Sequence, residues 1–258
     1  MALCLDRVGG ACDAYSKSRV GVAVGKFGSA TEVLDYTALA VQSVATIADN
    51  AAKLQGKTDP AAQSVGHKFT ELRTGLDIVR TVPAVASLVY CVESDGKGHY
   101  KVADWLKVSV IVSSASARIL NGVKALHDFK AIDLGKHASR IGNALIILFT
   151  VIVSFSFVKS LRDFVGKLTE PARTGTDEPQ KQRQETREAG KDFARNCAYL
   201  ASLPFELGIG MSTTPGQGSP ALAIAGASVS LVAAVTIIAI EGGDLVHGYK
   251  RDVAEDSA

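Results

Sequence analysis

Residues 220–240 read PALAIAGASVSLVAAVTIIAI and contain no charged side chain. The uncharged run begins earlier, at Leu207, and closes at Ile240. About 20 mostly apolar residues in a helix cross a hydrocarbon core about 30 Å thick. Pro220 suits the first turn of such a helix, where its missing N–H is not needed. The sequence Glu241-Gly242-Gly243-Asp244 is expected to stop it. This stretch predicts a transmembrane helix, and the rest of the chain is read around it.

A second apolar stretch lies upstream. Residues 141–158, IGNALIILFTVIVSFSFV, are also uncharged. Lys136, His137 and Arg140 precede them, and Lys159 and Arg162 follow. Basic side chains at both ends can reach the two interfaces of a bilayer. Eighteen residues is near the short limit for a span, so one to two membrane-crossing helices are expected. Two full spans would place both termini on one side.

Between residues 29 and 130 the pattern is amphipathic. Ser29-Ala30-Thr31-Glu32 fits a capping box, and Leu34, Ala38, Val41, Ala45 and Ala48 follow at helical steps. Gly56 closes that helix. Asp59-Pro60 opens the next, with Val65, Phe69, Leu72, Leu76 and Val79 on one face. Pro83 should end or kink it, because proline cannot bond back to the carbonyl four residues earlier. A turn over 93–99 leads into a third helix from about Val102 to Phe129. Val20 to Val24 is a weak strand signal, and no other is evident. The fold class is therefore all-α: a membrane-associated helical bundle built of amphipathic helices and the apolar segments.

The chain divides accordingly. Residues 1–28 are expected to be loosely ordered and to hold any uncleaved secretion signal. Residues 29–130 form the amphipathic region, 131–168 the first apolar segment with its flanks, 169–206 a polar linker and helix, and 207–258 the C-terminal span and tail. Within 169–206, a helix starts near Pro179 and Pro204 breaks it. Residues 208–219 read as a flexible connector.

Composition narrows the function. With 28 basic and 26 acidic residues the net charge is +2, which gives no argument for nucleic acid. The N-terminus has no apolar core of signal-peptide type, since Asp6 and Arg7 interrupt it. The four cysteines are far apart and read as free thiols. No zinc spacing, P-loop, nucleophile elbow or dinucleotide fingerprint is present. Catalytic, cofactor-binding and metal-binding residues are therefore expected to be absent, and the protein to be no enzyme.

Two features point to contacts. Gly226, Ser230 and Ala234 recur every four residues, as do Ala223 and Ala227. Small residues at that spacing let helices approach closely in lipid. They form a candidate packing face, which could also join copies of the chain as a homo-oligomer. Lys68, Arg73, Arg80, Lys107, Arg118 and Lys124 decorate the amphipathic helices. Basic residues so placed can meet anionic lipid; they are candidates for a membrane surface.

The layout resembles the chlamydial inclusion membrane proteins of the class I accessible protein type. The likeness is carried by LRTGLDIVRTVPAVASLV, then KVADWLKVSV after a glycine-containing turn, then the two apolar segments, with NCAYLASLPFELGIG leading into the last. That resemblance implies a type III secreted bacterial effector, inserted in the membrane of a pathogen-containing vacuole and facing host proteins. The stretches ARILNGVKALHDF and ARNCAYLASLPFELGIG are also similar in their order to the peroxin-11 family, which implies membrane elongation. A soluble helical bundle that buries its apolar helices as a core is the third reading.

Overall fold

The computed structural model describes residues 2–94, 99–172, 178–206 and 219–256, with side chains placed within 6–94, 99–172, 178–203 and 219–246. The fold is all-α. Helices α1 (Ala2–Lys17), α2 (Arg19–Leu54), α3 (Pro60–Val79) and α4 (Thr81–Ala86) come first. A short 3₁₀ turn (Ser87–Cys91) and a two-stranded hairpin, β1 (Val92–Ser94) and β2 (Tyr100–Val102), follow. Helices α5 (Trp105–Asp128), α6 (His137–Thr169), α7 (Glu178–Glu206) and α8 (Pro220–Asp256) complete the chain.

Local chemistry explains most boundaries. Ser18 caps α2, its Oγ accepting from the Gly21 N–H at 3.0 Å. At the other end Gly56 has φ of +70°. Gly56 N–H donates to Lys53 O and Lys57 N–H to Ala52 O, a Schellman closure that needs the left-handed residue. Asp59 Oδ1 accepts from Ala62 N–H at 3.0 Å and starts α3, with Pro60 in its first turn. Asp104 caps α5 through Leu106 N–H at 2.9 Å.

Pro83 sets the break between α3 and α4. Arg80 N–H still donates to Leu76 O and Ala84 N–H to Arg80 O. Pro83 has no N–H to give the carbonyl of Val79, and α3 ends at that residue.

Several expectations are corrected. Residues 2–17 are helical and 19–28 form the start of α2, so the N-terminus is not loosely ordered where described. The Ser29–Glu32 box lies inside α2, and its acidic member serves tertiary contacts instead. The Val20–Val24 signal is helical too. The strands are at 92–94 and 100–102, with Val92 opposite Val102 and Ser94 opposite Tyr100. Helix α7 continues through Pro204 to Glu206. Helix α8 runs through Gly242 and Gly243 to Asp256 rather than stopping at Glu241. The expected connector at 208–219 lies, but for Ser219, outside the described residues.

The chain forms two compact units. The first holds residues 1–35, 70–152 and 245–258; the second holds 36–69 and 153–244. In the first, Ala103, Leu106, Ala115, Ala117 and Ala125 are buried on or beside α5. There α4 and α5 approach closely at Gly122, where a Cβ would stand 2.6 Å from Thr81 Oγ1. In the second, Tyr36, Leu39, Ala234 and Ile237 form the core cluster, with Ala198 and Tyr199 packed on it.

Candidate functional site

Among the described residues, two helices are long and apolar enough to cross a membrane: α6, and α8 as far as Val246. Their mean hydropathies over the best 18-residue windows are 2.3 and 2.4. What separates them from ordinary core helices is exposure. Only 11 % of the α6 window and 33 % of the α8 window is buried within the chain.

The exposed residues are ordered. On α6, Ile147, Thr150, Ser154, Val158, Leu161, Val165 and Leu168 are all exposed. Their steps of three and four place them along one face. On α8, Leu222, Ala225, Val232, Val235, Ala239 and Val246 do the same; Val232 is 67 % exposed. The Thr150 hydroxyl on the α6 face needs no water, because its Oγ1 donates to Ile146 O at 2.8 Å.

The opposite face of α8 is the one the small residues make. Gly226, Ala227, Ser230 and Ala234 are buried, and Ala223 is half-buried. Ala233 and Ile237 extend the face. Over Ala234 and Ile237 the cover comes from this chain, through Tyr36 and Leu39 of α2 and Ala198 and Tyr199 of α7. The Tyr36 and Tyr199 rings lie 5.7 Å apart, tilted by 51°. A homo-oligomer contact through Ala234 would have to displace those residues.

Charged pairs hold α7 against α8 beyond the apolar stretch. Arg195 binds Glu241 and Asp192, and Lys191 Nζ reaches Asp244 Oδ1 at 2.6 Å. These pairs carry α8 through Gly242 and Gly243, which cost about 1 kcal/mol each in a helix interior. Beside them lies a groove of about 480 Å³, lined by Ala194, Cys197, Ala201, Ser228, Val232 and Thr236 among others. Cys197 is a free thiol there, and burial pushes its pKa up. Such a thiol is less ionised and so less reactive. Cys12 and Cys91 are free as well.

The basic candidates divide into two groups. Lys68 is exposed. Lys107 pairs with Glu93 and Lys124 with Asp128, each at 2.6 Å. Arg73, Arg80 and Arg118 turn inward, against the expectation of a membrane surface. Asp35 Oδ1 takes Arg73 Nε at 2.9 Å, and Asp35 Oδ2 takes Arg80 Nη1 at 2.6 Å. Glu32 lies 4.0 Å from Arg80, and Asp77 3.7 Å from Arg118. The physical reason is the acids on α2 and α3, which lie at helical spacing and draw the guanidiniums into the unit. Burial works to raise the Asp35 pKa, but Arg73 and Arg80 outweigh it and hold the carboxyl below its ordinary value. Burial pushes the Asp77 carboxyl up, and Arg118 offsets only part of that.

Among the described residues, no group of three or more His, Cys, Asp or Glu side chains could hold a metal ion. The inward ionic cluster and the Arg195–Glu241 pair were not read from the sequence. Their partners are 45 and 46 residues apart, and no local spacing marks them.

No family model, curated protein or solved structure matches this chain.

Proposed function

We propose that this is a non-enzymatic membrane protein whose two apolar helices, α6 and α8, meet lipid. The carrying observation is the low internal burial of the two windows, 11 % and 33 %. A soluble core helix hides its apolar surface inside the protein. Here most of it is presented outward in continuous stripes, and contiguous exposed apolar surface marks a lipid or partner interface. The likeness of layout to chlamydial inclusion membrane proteins supports the finer reading: a type III secreted effector in a pathogen-vacuole membrane that offers its helical regions to host proteins. The peroxin-11-like reading, membrane elongation, shares the same lipid contact.

The soluble-bundle reading has one observation in its favour. Ala234 and Ile237 of α8 pack against Tyr36 and Leu39 of α2, a helix whose buried Asp49 is ion-paired with Lys53. Alkaline carbonate extraction separates the readings. An integral protein stays with the membrane pellet; release into the supernatant overturns the membrane reading.

A further inference from the structure

Three charge-free stretches of the second unit end at one level. On α6 the run closes at Val158, before Lys159. On α7 it opens at Asn196, after Arg195, and on α8 it closes at Ile240, before Glu241. Helices α7 and α8 run antiparallel, since Lys191 pairs with Asp244 and Arg195 with Glu241. Helices α6 and α7 are antiparallel as well. Lys167 pairs with Glu185, while the Phe193 ring lies 5.8 Å from that of Phe157 and 5.5 Å from that of Phe164. Arg195 is two residues beyond Phe193, roughly 3 Å along the helix, and so stands close to the level of Lys159. All of these residues belong to one unit. A bundle in water has no reason to end the charges of three helices together, whereas the surface of a bilayer does.

The groove of about 480 Å³ opens just inside that level, with Ala194, Cys197 and Ala201 on its α7 side and Ser228, Val232 and Thr236 on its α8 side. Thr236 stands roughly 8 Å and Val232 roughly 14 Å along α8 from Glu241, within a hydrocarbon core about 30 Å thick. Both hydroxyls of the lining are spent on their own helix: Ser228 Oγ donates to Ile224 O at 2.8 Å and Thr236 Oγ1 to Val232 O at 2.9 Å. Such a lining does not give a water the two to four polar partners it needs, and an empty groove forfeits dispersion contacts. Val232 belongs both to the groove and to the outward stripe of α8, so the groove is continuous with the surface that meets lipid. We propose that Lys159, Arg195 and Glu241 mark one surface of the bilayer, and that the groove beneath it holds an acyl chain of a lipid in that leaflet. The headgroup then stands at the level of Lys191 and Arg195. Both are already paired with acids, so the site takes the chain and is indifferent to headgroup charge. This inference rests on the membrane reading above.

The test labels the groove from the membrane. Full-length protein is reconstituted into phosphatidylcholine vesicles doped with phosphatidylcholine that carries a diazirine midway along one chain. After illumination, lipid insertion is mapped by peptide mass spectrometry. The expected result is insertion at Cys197, Ala201 and Thr236 as well as on the α6 stripe at Ile147 and Val158. Ala194 and Ala201 are exposed, so a ring placed at either fills the groove without entering the packed core. In Ala194→Phe and in Ala201→Phe, insertion at Cys197 and Thr236 should be lost while that on α6 is unchanged. A parent labelled on α6 but not in the groove overturns the site and leaves the membrane reading standing, as does groove labelling that persists in both variants. No insertion on α6 or α8 overturns both. Photoreactive phosphatidylglycerol should label the groove of the unsubstituted chain equally; a preference for either headgroup overturns the assignment to the chain. With Cys4, Cys12 and Cys91 replaced by alanine, oxidation by copper phenanthroline in these vesicles should leave the protein monomeric. A dimer linked through Cys197 would put a second copy in the groove and overturn the lipid.

Discussion

Arg80 Nη1 lies 2.6 Å from Asp35 Oδ2, and both side chains are buried, at 5 % and 9 % exposure. The arginine sits at the break between α3 and α4 that Pro83 imposes. One ion pair thus fixes α2 to the point where the following helix loses its continuity. Arg73 completes a fork on the same carboxylate. Removing one member strips a buried charge of its nearest partner, and Arg73 or Glu32 compensates only part of the loss, so the cost is up to about 3–5 kcal/mol. Arg80→Ala and Asp35→Ala should each lower unfolding stability by that order in urea titrations. The double substitution should cost less than the sum, because the two singles each count the loss of the same Arg80–Asp35 contact. Strict additivity would show that the pair is not coupled.

The two aspartates of this cluster give opposite pH dependences. The folded-state pKa of Asp35 is depressed, so its contribution is fully present above the ordinary value of about 3.9 and is lost as pH falls through its lower folded value. Asp77 is raised, so its ionised form is a cost carried at neutral pH and relieved as pH falls through its folded value toward about 3.9. Asp77→Asn should therefore hold or increase stability at neutral pH and remove the relief seen on mild acidification. Asp35→Asn should be destabilising at neutral pH and converge with the parent in strong acid. Urea midpoints measured from neutral pH downward check both. A clear loss at neutral pH in Asp77→Asn would mean that its pairing with Arg118 outweighs its burial.

Gly56 ends α2 in the left-handed region, at φ of +70°. A Cβ there meets no neighbour, so the cost of Gly56→Ala is conformational alone, about 1–2 kcal/mol. Gly56→Asn should recover part of it, since asparagine tolerates that conformation. Thermal unfolding of the three proteins would order them Gly, Asn, Ala; equal stability of Gly and Ala would contradict the Schellman closure.

What the sequence made legible was local. The apolar runs, the Asp59-Pro60 start, the Gly56 stop and the Pro83 break all follow from chemistry within a few residues, and the structure has each of them. The hairpin strands were hidden because three residues give no periodicity to read. Ser18, not Ser29, caps α2, because Glu32 is drawn toward Arg80 across 48 positions in sequence. Helix α8 outlasts its glycines because Lys191 and Arg195, on another helix, hold the acids that flank them. The small-residue face was visible as a spacing, but its cover by Tyr36 and Leu39 was not. Apart from the hairpin, these misses are tertiary contacts overriding a local rule.

Val232 tests the central reading most directly. It lies near the middle of the charge-free stretch and is 67 % exposed, so it contributes little to packing within the chain. Within the fold itself Val232→Arg should change stability by no more than about 0.5 kcal/mol, as exposed substitutions generally do. In a bilayer an arginine at the centre of a helix costs about 2.5–3.5 kcal/mol on the insertion scale, roughly a hundredfold in partition. Val232→Arg should therefore unfold in urea like its parent while its carbonate-resistant fraction collapses. Val232→Leu, which keeps the apolar stripe, should match the parent in both measurements. If Val232→Arg remains in the pellet after carbonate as fully as the parent does, α8 is not in hydrocarbon at this position, and its outward stripe belongs to a protein contact instead.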